Sequence, residues 1–192
     1  MKKSLLLILL AGFTLTGCSD GKSENPFIGR WSFDHKDLFF KLNGADKDLK
    51  TEAATSEAAA DLFDRIDPRP AVMVEFTEDT MIVYHGNGGG PESIGYFIEN
   101  GVFRFIVGGV PVPGPGFKYK FEDGFLVKIA GKDILDFCSS SEGEDYREGY
   151  YGNYPSYEEA TAQFEGVFGP SVTNIEMWEY WKKVPDDVPT PF

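Results

Sequence analysis

Short alternating runs of apolar and charged residues, separated by tight-turn dipeptides, fill residues 71–138 and constrain the fold more than any other feature. In the clearest run, residues 117–122, three aromatic residues alternate with three charged ones. Because side chains on a β-strand point alternately to its two faces, this spacing indicates a strand with one buried face. Asp123-Gly124 follows, and such a dipeptide supplies the positive φ angles of a two-residue hairpin turn.

The same reasoning predicts seven strands in this region. Asn100-Gly101 marks a second hairpin, between two of them. The predicted strands cover residues 72–76, 81–84, 94–99, 102–107, 117–122, 125–129 and 134–137. Strands at this spacing indicate an antiparallel barrel or sandwich and not a parallel α/β sheet.

The N-terminal segment is predicted to be a targeting signal and is left out of the fold prediction. It begins with two lysines, and its apolar stretch, residues 5–13, is too short to span a bilayer as a permanent helix. Residues 15–18, Leu-Thr-Gly-Cys, then resemble the lipobox of bacterial lipoproteins, whose cysteine is acylated before the signal is cleaved. The resemblance implies a signal peptide over residues 1–17, acyl chains such as palmitate on Cys18, and attachment to a membrane through this lipid.

Sorting within the cell envelope is implied by the residue after the cysteine. Ser19 stands where the inner-membrane retention signal of bacterial lipoproteins would place Asp. The resemblance therefore implies a periplasm-facing lipoprotein of the outer membrane in a Gram-negative host. Residues 18–25 are small and polar, and we predict that they form a lipidated tether.

The chain is strongly acidic, with 18 Lys and Arg against 31 Asp and Glu and a formal net charge of -13. Nucleic acids are bound mainly through Lys and Arg, so the charge argues against a nucleic-acid partner. It favours attraction to cationic partners, although a solvated surface without a specific partner is the simpler interpretation. With Cys18 lipidated, Cys138 has no partner for an intrachain disulfide, and we predict a buried, inert thiol there.

The folded part is predicted to be one domain over residues 26–184, and its first strand contains Gly29 and Trp31. This pair resembles the entry strand of lipocalin-like proteins, in which the tryptophan plugs the closed end of a barrel and the glycine makes room for it. The resemblance implies a mainly β fold, an antiparallel meander closing into a lipocalin-like barrel, with an inserted helix and C-terminal helical additions. The Thr-Asp-Tyr signature of many lipocalins is absent. The alternative interpretation, in which Trp31 is a core aromatic residue of another β-fold, stays open.

The helical elements are predicted from composition and from capping signals. Residues 46–66 contain no Gly or Pro and are rich in Ala, Glu, Lys and Leu, which predicts a helix that lies on the sheet as a cover or as a lid. Before it, residues 37–42 either extend the first strand or form a short second one.

Two serine or threonine residues near the C-terminus have the spacing of a capping box. Ser156 with Glu159 predicts a helix over residues 157–167. Thr173 with Glu176 favours helix over strand for residues 172–184. The tail, residues 185–192, is predicted to be irregular.

Tyrosines crowd together after the meander, interleaved with Gly and Asn. Such rings offer an apolar face and a polar tip, which suits contact with sugars, peptides or protein surfaces. The alternative is that they cap one end of the barrel. The candidate binding residues are the loop tyrosines Tyr146, Tyr150, Tyr151 and Tyr154 together with the inward rings Trp31, Phe103, Phe105 and Tyr119.

No motif for catalysis is present in the sequence. The two histidines, His35 and His85, lie in separate contexts, and neither belongs to a nucleophile or zinc motif. We therefore predict a non-enzymatic protein without cofactor or metal, a lipid-anchored envelope protein that binds a small apolar molecule or a glycan. The alternative is an acidic inhibitor or immunity-type lipoprotein whose partner is a basic protein, a cationic hydrolase or toxin that it neutralises.

Overall fold

The structure, a computed structural model, describes residues 25–42, 49–52, 71–86, 89–146, 154–168 and 172–191. Ten strands lie in these residues: β1 (Gly29–Leu42), β2 (Leu49–Glu52), β3 (Ala71–Phe76), β4 (Thr80–His85), β5 (Glu92–Glu99), β6 (Val102–Val107), β7 (Val110–Pro111), β8 (Phe117–Glu122), β9 (Phe125–Ala130) and β10 (Val172–Val184). The described helices are α1 (Lys132–Cys138), α2 (Ser141–Glu144) and α3 (Tyr157–Phe168).

Eight of the strands form a closed antiparallel barrel in the order β1-β3-β4-β5-β6-β8-β9-β10, and β10 pairs back with β1. β2 adds to the far half of β1, and β7 adds to β6. Each barrel strand lies beside the next one along the chain, which is a simple up-and-down meander. The predicted mainly β, lipocalin-like barrel is confirmed.

The two hairpin signals are confirmed by the backbone. Asn100 and Gly101 have φ angles of 52° and 76°, and Asp123 and Gly124 have φ angles of 51° and 84°. Positive φ at both central residues is the geometry that matches the right-handed twist of the flanking strands. These turns fix the register of β5 with β6 and of β8 with β9.

The barrel has two different ends. We call one of them the entry end: it contains the first described residues, the hairpin turns after β3, β5 and β8, and the last residues of β10. At the helical end, α1, α2 and α3 connect β9 to β10. Ile134, Leu135 and Ala160 from these helices are buried in the same core as the inward side chains of the strands. The helices therefore close the helical end.

The prediction of a strand over residues 134–137 is wrong, because this stretch belongs to α1. Ile134, Leu135 and Cys138 are its buried residues, and they lie on one face of a helical turn. A short apolar run does not by its period distinguish a strand from a buried helix. Cys138 is buried, as predicted.

The helix favoured for residues 172–184 is also wrong, because this stretch is β10, the strand that closes the barrel. Ile175, Met177 and Trp181 point into the core. Trp178 and Tyr180 point outward, where they stack on Phe39 and His35 of β1 at centroid distances of 3.4 Å and 4.2 Å. Aromatic residues on both faces hide the alternation that would have indicated a strand.

The helix predicted over residues 46–66 is wrong at Leu49–Glu52, which is β2 and pairs with β1. Residues 53–66 lie outside the described residues. Residues 37–42 extend the first strand, as one of the two predicted alternatives had it.

The C-terminal capping box and tail agree with their predictions. Ser156 Oγ accepts a hydrogen bond from Glu159 N at 3.0 Å, and Glu159 Oε2 accepts one from Ser156 N at 2.9 Å. The helix predicted to begin after Ser156 is α3. Residues 185–191 form neither helix nor strand, and carbonyls of this tail accept hydrogen bonds from Arg30.

Candidate functional site: the barrel interior

Phe27 fills one side of the barrel interior from the entry end. Its ring centroid lies 5.3 Å from that of Phe76 and 5.8 Å from that of Phe103. On its other side it lies 4.4 Å from Tyr119, with an edge-on geometry that aromatic pairs favour. Phe27 is 2% exposed. The interior next to β3, β5 and β6 is therefore packed with rings.

Trp31 closes the entry end, as the lipocalin resemblance implied. Its indole is buried, and Nε1 donates a hydrogen bond to the carbonyl oxygen of Phe27 at 2.7 Å. Lys183 Nζ lies 4.6 Å from the ring centroid and donates to the carbonyl of Ile28. Gly29 has a φ of 113°, and a Cβ there would lie 2.6 Å from Lys183 Nζ. The glycine makes room for the lysine that covers the tryptophan, not for the tryptophan itself.

Several predicted binding residues belong to the packed core. Phe103 and Phe105 are buried, with ring centroids 5.2 Å apart. Tyr154 is also buried, and its ring lies 6.3 Å from that of Phe117. Tyr119 differs, because it is only partly buried although it packs against the core.

The described tyrosines after the meander cap the helical end of the barrel. Tyr146 and Tyr157 are partly buried and pack against the core, beside the buried Tyr154. Tyr157 Oη accepts a hydrogen bond from the backbone N–H of Asn174 at 2.7 Å, which ties α3 to β10. Of the two predicted interpretations, the capping one fits these residues. Tyr150 and Tyr151 lie outside the described residues.

The other side of the interior has accessible surface. Four inward-facing residues on this side are not fully buried, although they share the inward face of their strands with core residues. They are Phe33 of β1, Tyr119 and Phe121 of β8, and Lys128 of β9. Phe121 is 44% exposed, and the Lys128 side chain is 32% exposed. Close packing on this side would leave almost no such surface. The inner wall formed by β1, β8, β9 and β10 is therefore less tightly covered than the side that Phe27 fills.

The pairing of β8 explains why this side is less tightly covered. Its register pairs with β6 are Val102 with Lys118 and Phe103 with Phe117, at the start of the strand. Over residues 119–122 the register pairs of β8 are with β9. The β8–β9 hairpin therefore extends past the β5–β6 hairpin at the entry end. On its β6 side β8 therefore has no register partner at Tyr119 and Phe121.

A row of polar side chains crosses this inner wall at mid-depth. Lys36 is the register partner of Glu179, Glu179 that of Lys128, and Lys128 that of Tyr119. Lys128 Nζ lies 3.3 Å from Glu179 Oε2. The neighbouring inward rows are apolar: Leu126 with Trp181 toward the entry end, and Ala130 with Met177 toward the helical end.

Glu179 carries a negative charge within this row. Burial acts to raise its pKa, but the ammonium groups of Lys128 and Lys36 and hydrogen bonds from Lys128 and Trp181 outweigh that effect. The pKa of Glu179 therefore lies below its ordinary value. At neutral pH the described side chains of the row bring two ammonium groups and one carboxylate to the inner wall.

Sequence reasoning missed this row for a physical reason. A single Lys or Glu in an alternating strand is normally assigned to the solvent face, since charged residues are rarely buried. The signal present in the sequence was the two-residue alternation of side chains along β9. Lys128 is two residues from both Leu126 and Ala130, which are apolar. These three side chains therefore share one face.

His35 lies on the outer face of the barrel, next to two aspartates. His35 Nδ1 is 2.6 Å from Asp34 Oδ2, and its Nε2 is 3.5 Å from Asp37 Oδ2. Within the part of the chain that the structure describes, no group of three or more His, Cys, Asp or Glu side chains is placed to hold a metal ion. The interior is thus the best-defined candidate site.

None of the helices in the described ranges has the length and apolar composition needed to cross a bilayer. Comparison of the chain with protein-family models, with curated proteins and with solved structures returned no match.

Proposed function

We propose that this protein is a lipid-anchored protein of the cell envelope that binds one small apolar molecule inside its barrel and catalyses no reaction. The observation that carries this proposal is the accessible inner surface formed by Phe33, Tyr119 and Phe121. Burial of apolar surface contributes about 25 cal/mol per Å², so aromatic walls of this kind favour an apolar occupant. The interior of an eight-stranded barrel is wide enough either to be filled by side chains or to hold one small ligand, and the partly exposed inward residues favour the second case here.

The anchoring part of the proposal depends on the N-terminal sequence. The lipobox-like residues 15–18 precede the described chain, which begins at Asn25 at the entry end of the barrel. A lipid on Cys18 would hold the barrel to the membrane by that end. The serine after this cysteine supports the outer membrane, facing the periplasm.

Metabolic labelling with an alkyne analogue of palmitate tests the anchor. We expect label on the wild-type chain and on Cys138→Ser, which changes the other cysteine, and none on Cys18→Ser. Label that persists on Cys18→Ser would contradict lipidation at this residue.

Binding of the neutral probe N-phenyl-1-naphthylamine tests the interior. Its fluorescence rises in an apolar site, and we expect saturable binding at one probe per chain. Phe121→Ala should weaken this binding at least about threefold, because the change removes part of the accessible wall. Val110→Ala is the matched control, since Val110 is 65% exposed on β7, outside the barrel. A wild-type chain that does not bind the probe would contradict the proposal.

A second candidate function is favoured by the charge at the entry end. The turns and tail there carry seven exposed acidic residues: Glu78, Asp79, Glu99, Glu122, Asp123, Asp186 and Asp187. Such a surface suits an inhibitor or immunity-type lipoprotein that neutralises a basic hydrolase or toxin. A stoichiometric complex with a basic protein that salt dissociates would support this candidate.

A further inference from the structure

We infer that the barrel interior selects molecules that combine an apolar body with one carboxylate-sized anionic group, and that Lys128 holds this group. The inference rests on the proposed function, because it concerns the occupant of the same interior.

The position of Lys128 is the first support. Its neighbours on the inward face of β9, Leu126 and Ala130, are both buried in the core. Its Nζ lies 3.3 Å from Glu179 Oε2 and 4.2 Å from the ring centroid of Phe117. Yet the side chain keeps 32% of its surface accessible. The Lys128 side chain is therefore an accessible cationic group on the inward face of the barrel.

The hydrogen-bonding capacity of the row is the second support. An ammonium group has three N–H donors, and Glu179 accepts from Lys128 at one of them. The register partner of Lys128 on β8 is Tyr119, which is partly buried and carries a hydroxyl donor. A carboxylate at Lys128 would accept a hydrogen bond from its ammonium group.

The balance of charge is the third support. The described side chains of the row comprise Lys36, Lys128 and Glu179, two cations and one anion. The chain as a whole has a formal net charge of -13, whereas Lys128 brings a cationic group to the inward face of the barrel. Charge interactions are stronger away from water, and an anion is the ligand that such a row attracts.

The experiment uses the full chain at neutral pH with bound N-phenyl-1-naphthylamine, which decanoate or decan-1-ol then displaces. The two competitors share their alkyl chain, and only decanoate is charged. We expect decanoate to displace the probe from the wild-type protein at a concentration about tenfold lower than decan-1-ol, as for a hydrogen bond to a charged group.

Variants at two lysines locate the effect. Lys128→Met should reduce the preference for decanoate over decan-1-ol to less than about threefold, a ratio measured on the variant itself and so independent of any change in its probe affinity. Lys128→Arg should retain the preference. Lys118→Met is the matched control, because Lys118 lies on the outer face of β8 with 61% of its side chain exposed, and it should behave as wild type.

The double variant Lys128→Met/Glu179→Gln covers the case in which Lys128→Met does not fold. It removes both charges of the ion pair and should also lack the preference. Equal displacement by decanoate and decan-1-ol from a wild-type chain that binds the probe would overturn this inference and leave the proposed function standing. The same loss of preference in Lys118→Met would also overturn it. Absence of probe binding would overturn the proposed function itself.

Discussion

Replacement of Phe27 by alanine tests how the entry end of the barrel is held together. Phe27 precedes β1, in a short turn that a sequence-based prediction would treat as a peripheral lead-in. In the structure its ring is buried among five aromatic rings, those of Phe76, Tyr96, Phe103, Tyr119 and Phe121. The variant should therefore behave as a core variant.

The expected magnitude follows from burial. Truncation of a fully buried phenylalanine to alanine costs about 3–5 kcal/mol, which includes the lost transfer free energy and the cavity that remains. The hydrogen bond from Trp31 Nε1 reaches the backbone carbonyl of residue 27 and survives the change. We therefore expect a decrease in the free energy of unfolding of about 3–5 kcal/mol. For a domain of this size about 2–4 °C of melting temperature corresponds to each kcal/mol.

Urea unfolding followed by tryptophan fluorescence measures this loss, since Trp31 lies directly beside the changed residue. The midpoint should fall while the slope with denaturant stays constant, as for a change in stability alone. Ile28→Ala is the matched control, because Ile28 is the next residue and is 43% exposed. Its effect should stay within about 0.5 kcal/mol. A decrease in the free energy of unfolding of less than about 1 kcal/mol for Phe27→Ala would refute the reasoning that the Phe27 ring is a core residue of the barrel.

Three further predictions concern local packing and charge. Gly143→Ala should destabilise the protein by about 1–3 kcal/mol in urea unfolding, because a Cβ there would overlap the carbonyl oxygen of Phe137, whereas Gly90→Ala, with open space around it, should be neutral. Ser156→Ala should cost about 1 kcal/mol through loss of the α3 cap, measured by thermal unfolding; an unchanged melting temperature would contradict this. Folding lowers the pKa of Glu179 below its ordinary value of 4.5. Its carboxylate therefore stabilises the folded protein at pH values above 4.5, and this stabilisation is lost as the pH falls through the lower pKa of the folded state. The stability difference between wild type and Glu179→Gln should therefore shrink from about pH 6 to about pH 3, and a constant difference would contradict the charged row.

The sequence predicts those parts of the barrel whose strands have one polar face. β8 follows this pattern, and its hairpin turn with β9 has positive φ angles, which the Asp123-Gly124 dipeptide signals. β10 does not follow it, because Trp178 and Tyr180 are supported from outside by rings of β1. That contact comes from a residue pairing more than a hundred positions apart, which no local pattern contains.

The candidate site was harder to predict than the fold. The aromatic residues expected inside the barrel are inside it, but Trp31, Phe103 and Phe105 are buried core residues. Whether an inward residue meets another ring or stays partly exposed depends on how far β8 extends past β6, and the turn signals do not set that distance. The row containing Lys128 and Glu179 depends in addition on the register between β9 and β10.

Native mass spectrometry of the full chain, purified from its own host cells, tests whether the barrel carries a ligand. The account predicts a noncovalently bound small molecule of defined mass, one per chain, that is released when the protein unfolds. Its mass should be absent from a Phe121→Ala chain purified in the same way, or present at lower occupancy. A chain that carries no small molecule, and instead retains a basic protein in equal amount until salt releases it, would contradict the claim.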